Sequence, residues 1–355
     1  MVGCSRQDGA PRAEPRQSTT SVKATPSIPL APAPSAAVSR APSTPATATG
    51  RAVTLAFGGD VHFEGASRQA LTGGLADITP LLSRADVAMV NLETAVTTGG
   101  SPSGGKQFVF RAPPGAFGAL ARAGVDVATM ANNHGEDYGV QGLRDSLTAA
   151  ADAHFPVVGI GLDRDAAFAP HIISVKGQRI AYIGATQVLD DNLAALWTAG
   201  PGKPGLASAK DEERLVQAAQ QARRQADTVV VDLHWGQELV SCPLPRQQSL
   251  ARRLIEAGAD VVVGSHAHIL LGGGYLGNAY VDYGLGNFVF YANGGLPARS
   301  GVLTLTVRGR AVTGSTWSPA LISGGVPHPL NGSAETQARS SWEALRGCTG
   351  LAAAR

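Results

Sequence analysis

The amino-acid sequence predicts an α/β fold that begins near residue 51. Short runs of β-branched and other apolar residues, bounded by Gly and Asp, alternate with amphipathic segments of helical spacing. The runs are apolar throughout, which is typical of strands that are buried on both faces of a sheet. This alternation continues without an internal repeat or a second domain boundary, so we predict one α/β domain over residues 51–325.

The predicted strands are the short β-branched runs, and they are Val53–Phe57, Val87–Asn91, Val125–Met130, Ile180–Ala185, Thr228–Leu233, Val261–Gly264, Ala279–Tyr283 and Val302–Val307. The predicted helices are Gly115–Ala123, Val140–Ala153, Ser208–Ala226 and Pro245–Ala257. Ser208 is the expected N-cap of the third helix, and Pro245 suits the first turn of the fourth. We expect a loop-rich segment from about Ser315 to Arg355, with residues 326–355 as a C-terminal tail that wraps the domain.

The first 50 residues differ in composition from the rest. Residues 5–50 consist mainly of Ala, Pro, Ser and Thr and contain eight of the 22 prolines, so we expect a disordered tether. Residues 1–4 end in Gly3-Cys4, which resembles the end of a bacterial lipoprotein signal. We therefore expect a lipid anchor at Cys4 and a position at the extracellular face of the membrane, or secretion. The alternative is an incidental cysteine.

Charge, hydropathy and cysteine content limit the possible partners. The net charge is only +2, with no concentrated basic surface, which argues against a nucleic-acid partner. No apolar run reaches the roughly 20 residues that span a bilayer. Cys242 and Cys348 either form a disulfide in an exported chain or remain as two free thiols. The sequence leaves the oligomeric state open.

Polar residues of metal-ligand types follow the predicted strands. Asp60 and His62 come after the first strand, and side-chain alternation directs both to one side if the backbone stays extended. Five of the eight histidines lie at strand ends in this way, together with other candidate ligands, and the set is Asp60, His62, Glu93, Asn133, His134, His234, His266 and His268. Active sites of α/β sheets form outside the carboxyl ends of the strands. The pattern therefore indicates a metal site.

The order of these residues resembles that of the calcineurin-like metallophosphoesterase superfamily. Within it, five segments are similar to the CapA family of poly-γ-glutamate capsule-synthesis proteins, and they are Asn91-Leu92-Glu93, Asn132-Asn133-His134, His234-Trp235-Gly236, Gly264-Ser265-His266-Ala267-His268 and Gly286-Asn287-Phe288. The resemblance covers residues 52–325 and implies a four-layer α-β-β-α sandwich. It departs from the superfamily at Glu93, where Gly-Asp usually supplies the bridging carboxylate.

The resemblance also implies a role for each site residue. One metal ion would be held by Asp60, His62 and His268, a second ion by Asn133, His234 and His266, and Glu93 would bridge the two. His134 would be catalytic and would donate a proton or stabilise charge. Mixed oxygen and nitrogen ligands suit Mn, Fe or Zn. Further candidates are Arg111, Trp235 and Glu238 for substrate binding, and Asn132 and Asn287 for orienting the metal ligands.

Two functions are compatible with this reading. The first is a metal-dependent hydrolase or transferase that acts on a phosphoester or a cell-envelope polymer during capsule synthesis. The second is a non-catalytic, metal-containing accessory protein that binds or anchors an anionic capsule polymer during export. Glu93 in place of the usual Asp favours the accessory protein, whereas His134, which the superfamily does not use as a ligand, favours the enzyme.

Overall fold

The structure is a computed structural model that describes residues 51–292 and 294–355. The predicted lipoprotein signal and tether in residues 1–50 lie outside the described residues. The strands are β1 Val53–Val61, β2 Val87–Leu92, β3 Ala95–Val96, β4 Arg111–Ala112, β5 Val127–Thr129, β6 Val157–Val158, β7 Ile160–Gly161, β8 His171–Val175, β9 Gln178–Thr186, β10 Gly205–Leu206, β11 Thr228–His234, β12 Val261–Ser265, β13 Gly273–Leu276, β14 Ala279–Asp282, β15 Asn287–Val289, β16 Arg299–Arg308, β17 Ala311–Ser323 and β18 Val326–Pro329. The α-helices are α1 Thr79–Ser83, α2 Gly115–Arg122, α3 Gly139–Asp152, α4 Arg164–Ala167, α5 Asp191–Trp197, α6 Glu212–Gln225, α7 Pro245–Ala257 and α8 Gly332–Ala344.

Two large sheets organise these elements. The first has the order β18-β17-β16-β1-β2-β5-β6, with β15 also paired to β1, and the second has the order β13-β14-β12-β11-β9-β8. Four strands of the first sheet are mutually parallel, namely β1, β2, β5 and β6. The second sheet also has four parallel strands, namely β9, β11, β12 and β14. The parallel halves bring several carboxyl strand ends to one edge of each sheet, which is where the polar residues of the sequence lie.

The two sheets pack face to face between layers of helices. Alternate side chains of β1 show this, because Leu55 and Phe57 belong to a core shared with Tyr182 and Val263 of the second sheet. Ala56 points the opposite way, into a core formed with the helices of the first sheet. A third core joins the second sheet to α6 and α7. The result is the four-layer α-β-β-α sandwich that the resemblance implies.

The observed elements confirm all the predicted strands and helices to within a few residues at each end, with two corrections. Asp211, not Ser208, is the N-cap of α6, and its carboxylate accepts a hydrogen bond from Arg214 N. The segment after Ser315 is not loop-rich, because β17 continues to Ser323, β18 pairs with it and α8 follows. Residues 326–329 therefore belong to the first sheet.

A disulfide joins Cys242 to Cys348 across 106 residues of sequence. It links the loop after β11 to the short 3₁₀ helix Leu345–Cys348 that follows α8. Of the two alternatives that the sequence left open, the structure has the bonded one. None of the helices within residues 51–292 and 294–355 is both long and apolar enough to cross a membrane.

Candidate metal centre

Asp60 is held at the centre of the site by the strands on both sides of it. It pairs in register with Asn91 of β2 and with Asn287 of β15. A Cβ atom at Gly59 would lie 1.9 Å from the Gly286 carbonyl oxygen, so only glycine permits this approach of the two chains. Asp60 N then donates to Gly286 O at 2.9 Å, and Asn91 Nδ2 donates to Asp60 Oδ1 at 2.8 Å.

Three residues converge from the two sheets: Asp60 of β1, His234 of β11 and Glu93, which directly follows β2. Carboxylate or imidazole atoms of Asp60, Glu93 and His234 all lie within 4.8 Å of one another, and all three residues are fully buried. His234 Nε2 is 3.4 Å from Glu93 Oε1 and 2.7 Å from Asn133 Oδ1. Asn133 therefore lies at the same edge, as the sequence predicts.

A second group forms where β12 ends. Atoms of Glu93, His266 and His268 also lie within 4.8 Å of one another, so Glu93 is common to both groups. His266 and His268 have positive φ angles of 91° and 55°. A non-glycine residue adopts this backbone region at a cost, and such strain gathers at functional sites.

Hydrogen bonds to Asn287 and Asp60 orient His268. Its Nδ1 is 2.9 Å from Asn287 Oδ1 and 3.3 Å from Asp60 Oδ2, so Nδ1 carries a proton, and its Nε2 faces Glu93 Oε1 at 4.0 Å. Burial lowers the pKa of His268, but the charges of Glu93 and Asp60 outweigh this and raise the pKa to about 10. The Asn287 amide thus holds the His268 ring in place, and its role in orienting a metal ligand stays a prediction.

His62 lies beside the two groups without belonging to either. Its Nε2 is buried and has no hydrogen-bond partner within residues 51–292 and 294–355. Its Nδ1 is 3.1 Å from Ser67 Oγ, which donates to Glu64 O and can accept a proton from the ring. The backbone N–H of Glu64 also points to Nδ1 at 3.1 Å, which favours the opposite tautomer. Metal binding through Nε2 requires the tautomer with the proton on Nδ1, in which the ring donates to Ser67 Oγ.

The unpartnered buried atoms fit divalent cations. Both carboxylate oxygens of Glu93, Nε2 of His62 and Nδ1 of His266 are buried without a hydrogen-bond partner among the described residues. Unpaired buried polar groups of this kind destabilise a fold unless an ion or water satisfies them. A donor set of carboxylates and imidazoles suits Mn, Fe or Zn. The resemblance implies a different division of the ligands between two ions, but Glu93 is the shared residue in both divisions.

Burial sets the protonation of the site in the absence of metal. Burial and the neighbouring Asp60 carboxylate raise the pKa of Glu93 well above its usual range. Burial lowers the pKa values of His62 and His266 to about 3, and burial with the nearby His266 holds the pKa of His234 well below its ordinary value. These imidazoles are therefore neutral, which is the form that binds metal. Bound cations would favour the ionised form of Glu93.

His134 faces the same centre from the loop after β5. Its Nε2 lies 4.0 Å from Glu93 Oε1, and its Nδ1 lies 2.5 Å from Asp137 Oδ2. The ring stacks on Phe110 with centroids 4.1 Å apart. Asn132 supports the loop, because its Oδ1 accepts from His134 N and its Nδ2 donates to Asn91 Oδ1.

The centre opens into a cleft of about 600 Å³. Its wall is aromatic, with Phe110, Phe290 and Tyr291 around His62. The residues that line the cleft are Gly105, Lys106, Gln107, Phe108, Phe110, Asn133, His134, Asp190, Asp191, Asn192, Glu238, His268, Asn287, Phe290, Tyr291, Ala292 and Pro297.

Of the three residues predicted to bind substrate, the structure places only Glu238 in this lining. Trp235 is buried in the core of the second sheet and donates to Tyr283 O at 3.1 Å. Arg111 is exposed on β4, where its guanidinium lies 4.6 Å from the centre of the Tyr138 ring. Neither side chain lines the cleft.

The sequence alone indicates no role for three residues of the site: Asn91, Lys106 and Asp137. Asn91 connects Asp60 to Asn132, and Lys106 is paired with Asp137 behind His134. Asn91 could have been found, because it belongs to the motif that ends in Glu93. Lys106 comes from an irregular segment in which no sequence pattern indicates that its side chain is buried.

Comparison with known proteins agrees with the fold described above. The fold is shared with a solved structure described as a novel phosphatase from Mycoplasma pneumoniae, at 14% identity and a TM-score of 0.50, over 77% of this chain and 94% of that one. The chain thus has a metallophosphatase-like α/β fold. Residues 54–292 match the family described as bacterial capsule synthesis protein PGA_cap, and the chain belongs to that family.

Two relatives in this family come from Bacillus. The PGA biosynthesis protein CapA of Bacillus subtilis is 40% identical over 165 residues, which is 46% of this chain and 42% of the relative. The capsule biosynthesis protein CapA of Bacillus anthracis is 37% identical over 175 residues, 48% of this chain and 42% of the relative. The similarity thus spans less than half the length of each relative.

Proposed function

We propose that this protein is a metal-dependent hydrolase or transferase of the metallophosphoesterase type that acts in the synthesis of a capsule or cell-envelope polymer. The observation that carries the proposal is the position of Glu93, which belongs to both candidate ligand groups and has two unpartnered buried oxygens. The polymer link comes from the names of the Bacillus relatives, which refer to PGA and capsule biosynthesis.

The residues of the chain divide the chemistry between them. Asp60, Glu93 and the surrounding imidazoles would hold two divalent ions, which when bound polarise a phosphoryl oxygen and lower the pKa of water. His134 Nε2 faces this centre and is placed to move a proton to or from the reacting group. Asp137 accepts from Nδ1 and stabilises the charged ring during that transfer.

The accessory-protein alternative requires that the cleft bind an anionic polymer without reaction. Within the described residues, the acidic side chains that line it are Asp190, Asp191 and Glu238. Lys106 is the only lysine or arginine in that described lining, and its charge is paired with Asp137. Without bound cations this lining repels a polyanion, so an anionic polymer would bind here through the metal ions, either as substrate or as cargo.

The location outside the cell is part of the proposal. The disulfide between Cys242 and Cys348 supports it, because disulfides persist in oxidising compartments. We propose attachment to the membrane through Cys4, which lies outside the described residues. Mass spectrometry of the mature N-terminus from native cells tests this attachment, and an unmodified Met1 contradicts it.

Hydrolysis by the purified, Mn-loaded protein tests the enzymatic proposal. The substrates are p-nitrophenyl phosphate and bis(p-nitrophenyl) phosphate, and the comparison is with His134→Ala. Loss of a general acid or base lowers the rate by about 10²–10⁴-fold. We expect a loss in that range with metal content unchanged. Equal rates for the two proteins contradict a catalytic role for this site.

A further inference from the structure

Lys106 is a buried cation beside the candidate metal centre, and the proposed chemistry gives it no role. Its side chain is 4% exposed, and its Nζ lies 2.5 Å from Asp137 Oδ1. The same ammonium donates to the backbone oxygen of Asn133 and lies 3.3 Å from His134 Nδ1. It also lies 4.8 Å from the centre of the Trp197 ring. A charged group is buried in this way only when several partners hold it.

Asp137 is the point through which Lys106 reaches His134. The Asp137 side chain is fully buried, and one of its oxygens accepts from Phe110 N at 2.6 Å while lying 2.5 Å from His134 Nδ1. The same carboxylate accepts hydrogen bonds from Lys106 Nζ and Phe110 N, so it acts as an acceptor toward His134 as well. His134 must therefore donate from Nδ1, which leaves its Nε2 directed at Glu93 without a proton.

Lys106 also anchors the segment between β3 and β4 that forms one side of the cleft. Gly105, Gln107 and Phe108 of this segment line the cleft with Lys106. The segment is tied to the same loop a second time, since Ser103 N donates to Asp137 O at 2.8 Å. One lysine thus fixes both the orientation of His134 and the position of a cleft wall.

We propose that Lys106 is a positioning residue for the reaction of this site, acting through Asp137 on His134 and through the backbone of Asn133 on that predicted ligand. The inference rests on the proposed function. It assigns to the segment between β3 and β4 a part in catalysis, in addition to that of the residues at the strand ends.

A double-mutant cycle tests whether Lys106 acts through His134. We compare Lys106→Met in the native sequence and in the His134→Ala background, using Mn-loaded protein and p-nitrophenyl phosphate. The expected result is a loss in kcat of about tenfold in the native sequence and less than twofold in the His134→Ala background, with the metal content unchanged, because residues that act as a unit are not additive. The same loss in both backgrounds overturns the proposal.

Two further variants separate positioning from folding. Lys106→Gln keeps a donor at this position, and we expect it to recover part of the lost kcat. Lys176→Met removes a different lysine, whose Nζ is paired with Asp86 at 2.7 Å before β2, and we expect full activity. Equal losses in kcat for Lys176→Met and Lys106→Met would indicate general destabilisation and overturn the proposal.

Hydrogen exchange provides a readout that does not depend on turnover. In Lys106→Met we expect faster amide exchange at Ser103 and Phe110, whose N–H groups bond to Asp137, and unchanged exchange in β16. Unchanged exchange at both amides overturns the anchoring role. Absence of any hydrolysis by the native protein refutes the proposed function, while the exchange result still decides whether Lys106 holds the segment.

Discussion

Glu93→Gln is the substitution that separates a two-ion centre from an ordinary buried carboxylate. The change is nearly isosteric, but it removes the negative charge from both candidate ligand groups. His266→Gln is the matched variant, because His266 belongs to one group only. We therefore expect Glu93→Gln to remove the stabilisation by both ions, and His266→Gln to remove that by one.

The size of the effect follows from binding linkage. A ligand at 100 times its Kd stabilises the folded state by about 2.7 kcal/mol per site. For about 300 described residues the entropy of unfolding is about 0.6 kcal/mol/K, so each filled site raises Tm by about 4 °C. Saturating Mn should raise the Tm of the native sequence by about 8 °C, that of His266→Gln by about 4 °C, and that of Glu93→Gln very little.

In the metal-free protein, Glu93→Gln is expected to raise the stability of the fold instead of lowering it. Because burial and Asp60 raise the folded-state pKa of Glu93, the metal-free fold loses stability as the pH rises above the unfolded-state pKa of about 4.5. Metal-free Glu93→Gln should thus unfold at a higher temperature than the native sequence at pH 7.5.

Scanning calorimetry with and without Mn, after removal of metal by a chelator, measures both effects. A full Mn-induced shift in Glu93→Gln would refute the placement of Glu93 between two ions. A metal-free Glu93→Gln that is less stable than the native sequence would show that Glu93 has a protein partner in place of a metal.

Three other outcomes follow from single features of the fold. Burial raises the pKa of Glu136 to about 8, so this group contributes stability below pH 4.5 that is lost as the pH rises through 8. Glu136→Gln should therefore match the native sequence in chemical denaturation at pH 4.5 and exceed it at pH 9 by about 5 kcal/mol. Reduction of the Cys242–Cys348 disulfide, which closes a loop of 106 residues, should lower the free energy of unfolding by up to about 5 kcal/mol, whereas no change in the urea midpoint would contradict the bond. Gly59→Ala should abolish metal binding in calorimetry, because its Cβ would meet Gly286 O at 1.9 Å and displace Asp60.

The convergence of the candidate ligands could be predicted from the sequence because each ligand directly follows an apolar strand. Parallel strands bring their carboxyl ends to one edge, so the positions of Asp60, Glu93 and His234 follow from local pattern and topology alone. The division of these residues between two ions depends on distances of a few ångströms, which the pattern does not determine.

The cleft could not be predicted in the same way. Trp235 follows a strand like the ligands, but its indole turns into the core because Gly264 has no Cβ, which would lie 2.3 Å from Trp235 Nε1. Lys106 and Asp137 are 31 residues apart and meet only in the folded chain. The alternation of exposed and buried residues along β17 was present in the sequence beyond Ser315, and the many polar residues there concealed it.

Anomalous diffraction from crystals of the Mn-loaded protein tests the central claim most directly. We expect two Mn peaks about 3.5–4 Å apart, with Glu93 between them and Asp60, His234, His266 and His268 around them. A single peak, or peaks that do not contact Glu93, would contradict the account.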